Sequence, residues 1–242
     1  MEYQPEARSR QQYLMRYLGV QRDDIVLDVG CGTGYFAGLI TLEGCQRTIG
    51  CDLDEEALRI AKKLNRNLDF VQADGVHLPI RNSAVTKILC TEVLEHVLDD
   101  TGLATEFSRV LMSGGVLVCS SPNSSFVFHS KKSTHTSGGP ELHVRAGYSP
   151  KSIVGLLAAA GFVAIDISYA LPLLGTLLVE ALERVYATLF GPLQSQSELA
   201  RLENRPLFKV YRLIFPILMG LVTFPIPRNY GGSILVAKAT KE

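Results

Sequence analysis

The segment Asp28-Val29-Gly30-Cys31-Gly32-Thr33-Gly34 constrains this chain more than any other. It closes a continuous apolar run, IVLDVG (25–30), which reads as a buried parallel strand, and it opens a helix predicted over 34–43. Glycines at alternate positions let the backbone turn sharply and let a ligand approach with no Cβ in the way. The N-terminus of the following helix then faces whatever binds. The spacing is GxGxG, and Tyr35 stands where a dinucleotide fingerprint needs its third glycine. A bulky side chain there fits a cofactor that lacks a pyrophosphate.

Strand and helix alternate downstream. RTIGCDL (47–53) predicts a second strand ending at Asp52, and Asp54 suits the N-cap of EEALRIAKKL, whose last turn carries Lys62 and Lys63. LDFVQAD (68–74) predicts a third strand and VTKILCTE (85–92) a fourth. A helix over 99–111 is expected to stop at the glycines of GGVLVCSSPN (114–123), the fifth strand. Residues 6–18 predict an amphipathic lead-in helix with Tyr13, Leu14, Tyr17 and Leu18 on one side. Pro150 opens a later helix ended by Gly161, and strands are expected over 162–170 and 231–239. The pattern predicts a doubly wound, seven-stranded, mostly parallel α/β sheet in a single domain spanning 1–242, with a helical insertion at 171–229 before the last strand. Residues 124–147, rich in Ser, Thr, Gly and His, read as a long loop of the kind that forms lids and binding loops.

Charge narrows the function. Lys+Arg 24 balances Asp+Glu 24, so non-specific polyanion binding has no global driver, which argues against a nucleic-acid substrate. Cys31, Cys45, Cys51, Cys90 and Cys119 are odd in number and contain no CxxC pair, so neither a disulfide framework nor a zinc ribbon is expected. Several fall in apolar runs, as small buried hydrophobes do. A reducing, cytoplasmic compartment fits, and the charged N-terminus has no apolar stretch of the signal-peptide kind.

Three acids end three successive predicted strands. Asp28 precedes the glycines. Asp52 can accept hydrogen bonds from both hydroxyls of a ribose, since a carboxylate matches a vicinal diol. Asp74, in Ala73-Asp74-Gly75, suits an adenine amino group, although an Asp-Gly pair also makes an ordinary turn. Acids that end neighbouring parallel strands share one edge of the sheet, and that grouping is more specific than any member.

These segments resemble the class I S-adenosylmethionine-dependent methyltransferases: VLDVGCGTG their first motif, CDLDEEAL their second, VQADGVHLPI their third, and CTEVLEHV (90–97) with LMSGGVLVCSSPN (111–123) the later ones. The resemblance covers about 25–170 and resumes at 231–239, where it implies an antiparallel seventh strand. It implies that Asp28, Gly30, Cys31, Gly32 and Gly34 cradle the methionine end of S-adenosylmethionine. It further implies that Asp52 holds the ribose and that Asp74 with its neighbours Ala73 and Gly75 holds the adenine, with Leu53, Thr91 and Glu92 also at the cofactor. Within the superfamily, Glu92-Val93-Leu94-Glu95-His96 and His143-Val144-Arg145-Ala146-Gly147-Tyr148-Ser149-Pro150 are similar to segments of ubiquinone-pathway O-methyltransferases. Two mechanisms stay open. In one, His96 or His143 takes a proton from an acceptor hydroxyl, as a histidine near neutrality can. In the other, Glu92, Glu95 and His96, spaced i, i+3 and i+4, join His143 around a divalent cation that acidifies the acceptor. Glu95 and His96 could also simply begin the fourth helix.

The insertion carries LPLLGTLLVEALERVYATLF (171–190) and LFKVYRLIFPILMGLVTFPIP (207–227). Glu180, Glu183 and Arg184 interrupt the first stretch; the uncharged part of the second, 213–227, holds three prolines and falls short of the ~20 residues a spanning helix needs. A lid over the site and a membrane-surface element, with Arg201, Arg205, Lys209 and Arg212 facing lipid headgroups, are both consistent with the pattern. Either favours a small, hydrophobic or lipid-like acceptor, with O-methylation ahead of C or N. The competing readings are an NAD-dependent oxidoreductase, which Tyr35 opposes, and a non-enzymatic binding module of the same fold. Methylation of a nucleic-acid amino group is disfavoured, because Thr91-Glu92-Val93-Leu94 stands where an Asn-Pro-Pro-aromatic tetrapeptide would be needed.

Overall fold

The computed structural model describes residues 5–126, 144–172 and 232–242. Its elements follow the chain as α1 (Pro5–Leu18), β1 (Ile25–Val29), α2 (Tyr35–Leu42), β2 (Arg47–Asp52), α3 (Glu55–Leu64), β3 (Asp69–Gln72), β4 (Val85–Thr91), α4 (Asp100–Val110), β5 (Leu111–Pro122), α5 (Pro150–Ala159), β6 (Phe162–Pro172) and β7 (Gly232–Lys241). They form one seven-stranded sheet in the order β3-β2-β1-β4-β5-β7-β6. β1 to β5 are parallel, and β7 lies antiparallel between β5 and β6. The strand order reverses between β1 and β4, the switch point outside which α/β sheets bind ligands.

Two apolar layers cover the sheet. On one face Leu14 and Leu18 of α1 and Ile40 of α2 pack on Val26, Leu89, Val118 and Val236. On the other, Leu103, Phe107 and Val110 of α4 and Ile153 and Leu157 of α5 pack on Leu27, Ile88, Leu117 and Leu235. The lead-in helix thus buries the side that its 3–4 spacing predicts. Asp54 caps α3, its Oδ1 accepting from the Glu56 and Ala57 amides at 2.8 and 3.2 Å. Ser149 and Ser152 form a capping box at the start of α5, with Pro150 in the first turn.

Several boundaries differ from expectation. β3 ends at Gln72, because the Asp74 carboxylate folds back to accept from the Val76 amide at 3.0 Å and turns the chain before that residue can pair. α4 ends at Val110, four residues before the glycines expected to stop it. The pairing of β4 with β5 runs from Val85↔Leu111 to Lys87↔Val116, so the extra residues bulge out, and Gly114, at φ 75°, supplies the left-handed turn the bulge needs. Residues 171 and 172 belong to β6, which places the start of the intervening stretch later than the 171 predicted. The remainder of the 171–229 insertion and His129, His135 and His143 of the long loop lie outside the described residues.

The segment 74–82 is tied to α4 through Arg109 and Glu106. Arg109 donates to the carbonyls of Leu78 and Ile80 at 3.0 and 2.8 Å, to Asn82 Oδ1 at 2.7 Å, and to both oxygens of Glu106 at 2.7 Å. Glu106 in turn accepts from the Leu78 amide at 2.7 Å, and the guanidinium holds its carboxyl below the usual range. Arg109→Ala leaves two carbonyls and a carboxylate without these donors. It is expected to lower stability by about 1–3 kcal/mol, read by urea unfolding at constant m. Unchanged stability would mean that water replaces the guanidinium at no cost.

Candidate active site

Parallel pairing puts the predicted acids on one edge. Asp28 is the penultimate residue of β1, Asp52 the last of β2, and Asp74 lies two residues past the end of β3; these three strands are neighbours in the sheet. β1 leads into a turn in which Gly30, Gly32 and Gly34 have φ of 71, 50 and 77°. The Gly30 and Cys31 amides both donate to the Cys51 carbonyl, at 2.8 and 3.0 Å, and the Gly34 amide donates to Cys31 at 2.8 Å. The turn is therefore fastened to β2 rather than hanging free.

Two of the glycines answer different demands. A Cβ at Gly30 would lie 2.2 Å from Val93 Cγ2, so the turn after β4 fills the space behind the loop. At Gly32 a Cβ would meet no atom of the described residues within 4 Å.

Asp52 is already oriented. Its Oδ2 accepts from the Gly32 amide at 2.7 Å and its Oδ1 from the Asp54 amide at 2.9 Å. Each oxygen keeps a lone pair for a further donor, which is what a ribose diol supplies. Leu53 beside it is 65% exposed, and Ala73 donates its amide to the Asp52 carbonyl at 3.0 Å, joining the second and third tips. Asp74 is exposed. Gly75 packs on α4 so tightly that a Cβ would come within 2.7 Å of Leu103 Cδ1.

Asp28 is of another kind. It is 1% exposed, and neither carboxylate oxygen has a hydrogen-bond partner among the described residues. Burial, with added like charge from Asp52, raises its pKa to about 7; the nearby Ala37 amide offsets part of this without completing a hydrogen bond of ordinary geometry. A buried carboxylate left this way is costly unless a donor arrives. Cys31 is 8% exposed within the loop, and burial lifts its thiol far above the ordinary range, so it is packing rather than a nucleophile.

Beyond β4 the chain does not take the helical form through which the i, i+3 and i+4 spacing of Glu92, Glu95 and His96 would act. Thr91 ends the strand, and Glu92 follows with φ 55°, a left-handed conformation uncommon for a non-glycine residue. The Glu92 amide donates to the Ser120 carbonyl at 3.1 Å, and the Ser120 hydroxyl to Glu92 Oε1 at 3.1 Å. Residues 92–98 form a turn, and α4 starts only at Asp100. Glu92, Glu95 and His96 thus lose the i, i+3, i+4 alignment that would gather them. Glu95 is buried, and the three form no group that could hold a metal ion, nor does any set of three such residues among those described. His96 is partly exposed in this turn, its amide donating to Val93 at 2.9 Å. His143, its proposed alternative, lies outside the described residues.

Sequence reasoning gave no role to Ser120, Val93 or Arg145. Ser120 could have been found by aligning strand ends, because it pairs with Thr91. The other two depend on the turn's conformation. A cavity of about 600 Å³ lies between α2 and the end of α3, lined by Tyr35, Leu39, Leu42, Leu64 and Asn65 among others. No carboxylate among the described residues lines it, whereas Asp52 and Asp74 stand at the strand edge.

Comparison with known proteins agrees with the geometry. Residues 27–119 match the methyltransferase domain family. A protein of Mycolicibacterium smegmatis named as a probable S-adenosylmethionine-dependent methyltransferase is 29% identical over 151 residues, 58% of each chain. A ubiquinone biosynthesis O-methyltransferase of Vibrio atlanticus is 34% identical over 106 residues, 42% of this chain and 44% of that one. The chain therefore spans about half the length of the curated relatives it matches. The crystal structure of a SAM-dependent methyltransferase from Thermotoga maritima superposes with a TM-score of 0.62 over 97% of this chain and 90% of the other; at 17% identity that likeness speaks for the fold. Residues 27–119 therefore carry a methyltransferase domain, and the chain is similar in sequence and fold to S-adenosylmethionine-dependent methyltransferases.

Proposed function

We propose that this chain transfers the methyl group of S-adenosylmethionine to an oxygen of a small, hydrophobic acceptor. The observation that carries the cofactor half is the Asp52 carboxylate, held by the Gly32 and Asp54 amides at the glycine turn. Asp52 with Leu53 would hold the ribose, Ala73, Asp74 and Gly75 the adenine, and the Gly30–Gly34 turn above buried Asp28 the methionine end. Thr91 and Glu92 would close the side toward β4. When bound, the cofactor supplies an electrophilic methyl carbon on a sulfonium. The chain's own tasks are to align the acceptor, exclude water and accept the acceptor's proton. His96, on the turn beyond β4, is the described residue suited to that last task, with His143 as the alternative base.

Three features support a hydrophobic acceptor. Leu98 and Val144 are 82% and 40% exposed, on segments joined through the Glu95 carbonyl. Leu53 adds a third exposed apolar side chain at the strand edge. Pro172 pairs with Gly232, and Ile234 with Pro122, so β6 ends and β7 begins at the same edge as the tips of the parallel strands. Asn123 pins that junction, donating from its amide and its Nδ2 to the Ser233 and Gly232 carbonyls at 2.9 and 2.8 Å. Both ends of the apolar stretch between them lie at the edge that carries the site, which supports reading that stretch as a lid or a membrane-interface element. No helix among the described residues is long and apolar enough to cross a membrane. The O-directed reading draws on the Vibrio relative's name.

Incubating the protein and methyl-tritiated cofactor with lipid and aqueous extracts should place label in the lipid fraction. His96→Ala should reduce that transfer by about 100-fold without changing affinity for S-adenosylhomocysteine. Label confined to the aqueous fraction would remove the hydrophobic acceptor; binding of a nicotinamide cofactor in place of S-adenosylhomocysteine would favour an oxidoreductase. Flotation with anionic vesicles separates the lid from the membrane element, since a lid alone leaves the protein at the bottom of the gradient.

A further inference from the structure

Arg145 makes a set of contacts that no step above uses. Its Nη1 donates to the Leu94 carbonyl and to the Tyr148 hydroxyl, both at 2.7 Å, and lies 3.1 Å from Asp100 Oδ2. Its Nη2 donates to the Leu98 carbonyl at 3.1 Å. The Tyr148 hydroxyl donates to Asp100 Oδ2 at 2.6 Å, and the guanidinium carbon sits 5.6 Å from the Tyr148 ring centroid. The Val144 and Arg145 amides both donate to the Glu95 carbonyl, at 3.0 and 3.3 Å. One planar fork therefore grips two carbonyls four residues apart, which the point charge of a lysine cannot do.

What it grips is the 92–98 turn. That turn belongs to no helix or strand, and it starts from the left-handed Glu92. Yet it carries Val93, whose Cγ2 fills the space a Cβ at Gly30 would take. Any outward movement of the turn withdraws the wall behind the glycine loop. A continuous line of contacts thus runs from the 144–148 segment, through the Leu94 and Leu98 carbonyls, to Val93 and the loop.

We propose that Arg145 is a positioning residue for the cofactor cradle: by fixing the 92–98 turn it couples the order of the 144–148 segment to cofactor affinity. The inference rests on the cofactor reading above. The coupling is reciprocal, so a bound cofactor steadies the 144–148 segment as that segment steadies the cradle.

Hydrogen exchange followed by mass spectrometry, with calorimetry of S-adenosylhomocysteine well below the melting temperature, tests it on the full chain. In ligand-free Arg145→Ala, exchange over 92–98 should rise while β1 stays protected, and affinity should fall about 10-fold, the scale of a lost charge-assisted hydrogen bond. Arg145→Lys should recover part of the loss, and Tyr148→Phe, which removes the hydroxyl that aligns the fork, should give a smaller one. S-adenosylhomocysteine should slow exchange over 144–148 in the wild type and not in Arg145→Ala. If Arg145→Ala fails to fold, the lysine and phenylalanine variants carry the test. Faster exchange over 92–98 with wild-type affinity would overturn the proposal, leaving Arg145 a structural clamp; unchanged exchange would remove the clamp as well. A wild type that does not bind S-adenosylhomocysteine, with the exchange difference intact, sinks the cofactor reading and the coupling while leaving the grip on the turn.

Discussion

Gly30→Ala is expected to cost about 2–5 kcal/mol of stability, from a left-handed alanine and an overpacked contact together. The two parts can be separated. A Cβ at this position meets Val93 Cγ2 at 2.2 Å but Val93 Cβ at 3.5 Å, an ordinary van der Waals distance. Adding Val93→Ala therefore removes the collision and leaves the backbone term, about 1–2 kcal/mol. The double variant should unfold in urea at a concentration between those of the wild type and the single variant, a non-additivity expected only of residues in contact. Gly32→Ala is the informative contrast. Its φ of 50° carries a similar backbone cost, but its Cβ would meet no described residue within 4 Å. Its loss should appear chiefly in S-adenosylhomocysteine affinity, because the side the ligand would occupy is the side the methyl group fills. If Gly32→Ala binds as tightly as the wild type, the loop does not face the cofactor.

That contrast marks how far the sequence could be read. Which acids share an edge was legible, because parallel strands that each end in an acid must present them together. Asp28, Asp52 and Asp74 required only the strand boundaries, and an error of two residues at β3 changed nothing. The apolar spacing of Leu14 and Leu18 likewise identified the face of α1 that is buried. The turn after β4 was not legible. A helical reading of Glu92, Glu95 and His96 is reasonable on spacing alone, but Glu92 takes a left-handed φ and Ser120 bonds both its amide and its carboxylate. That interaction joins residues 28 positions apart and leaves no periodic mark. Arg145 is similar: it contacts Leu94 across 51 positions, and only the folded chain shows that its fork spans two carbonyls. The glycines at 114 and 115 were read as a helix stop because glycine ends helices often; the register shift they accommodate in β5 is a property of the pair of strands.

The second large effect belongs to Asp28, and it reverses sign between stability and binding. Its carboxyl titrates near pH 7 in the folded chain against an ordinary 3.8, chiefly because it is buried. The raised value means that the folded protein holds a proton that the unfolded chain releases between those limits. The stability this group contributes is therefore complete below about pH 4 and is lost as pH rises through about 7. The span of roughly 3 pH units corresponds to at most about 4 kcal/mol. Asp28→Asn removes the ionisable group while keeping its shape. The ligand-free variant should be more stable than the wild type at pH 8, by up to that amount, and the two should converge toward pH 4. Cofactor binding should move the other way. The methionine end brings an ammonium, which favours the ionised carboxylate, so binding to the wild type near pH 7 should release a fraction of a proton. Calorimetry of S-adenosylhomocysteine in buffers of different ionisation enthalpy reads that fraction, and Asp28→Asn should abolish it while weakening affinity. A variant no more stable than the wild type at pH 8, with proton release unchanged, would show that another group titrates and that Asp28 does not face the cofactor. If both effects appear, the chain keeps an uncomfortable charge at the foot of its glycine turn because the cofactor relieves it, and the instability of the empty site contributes to recognition.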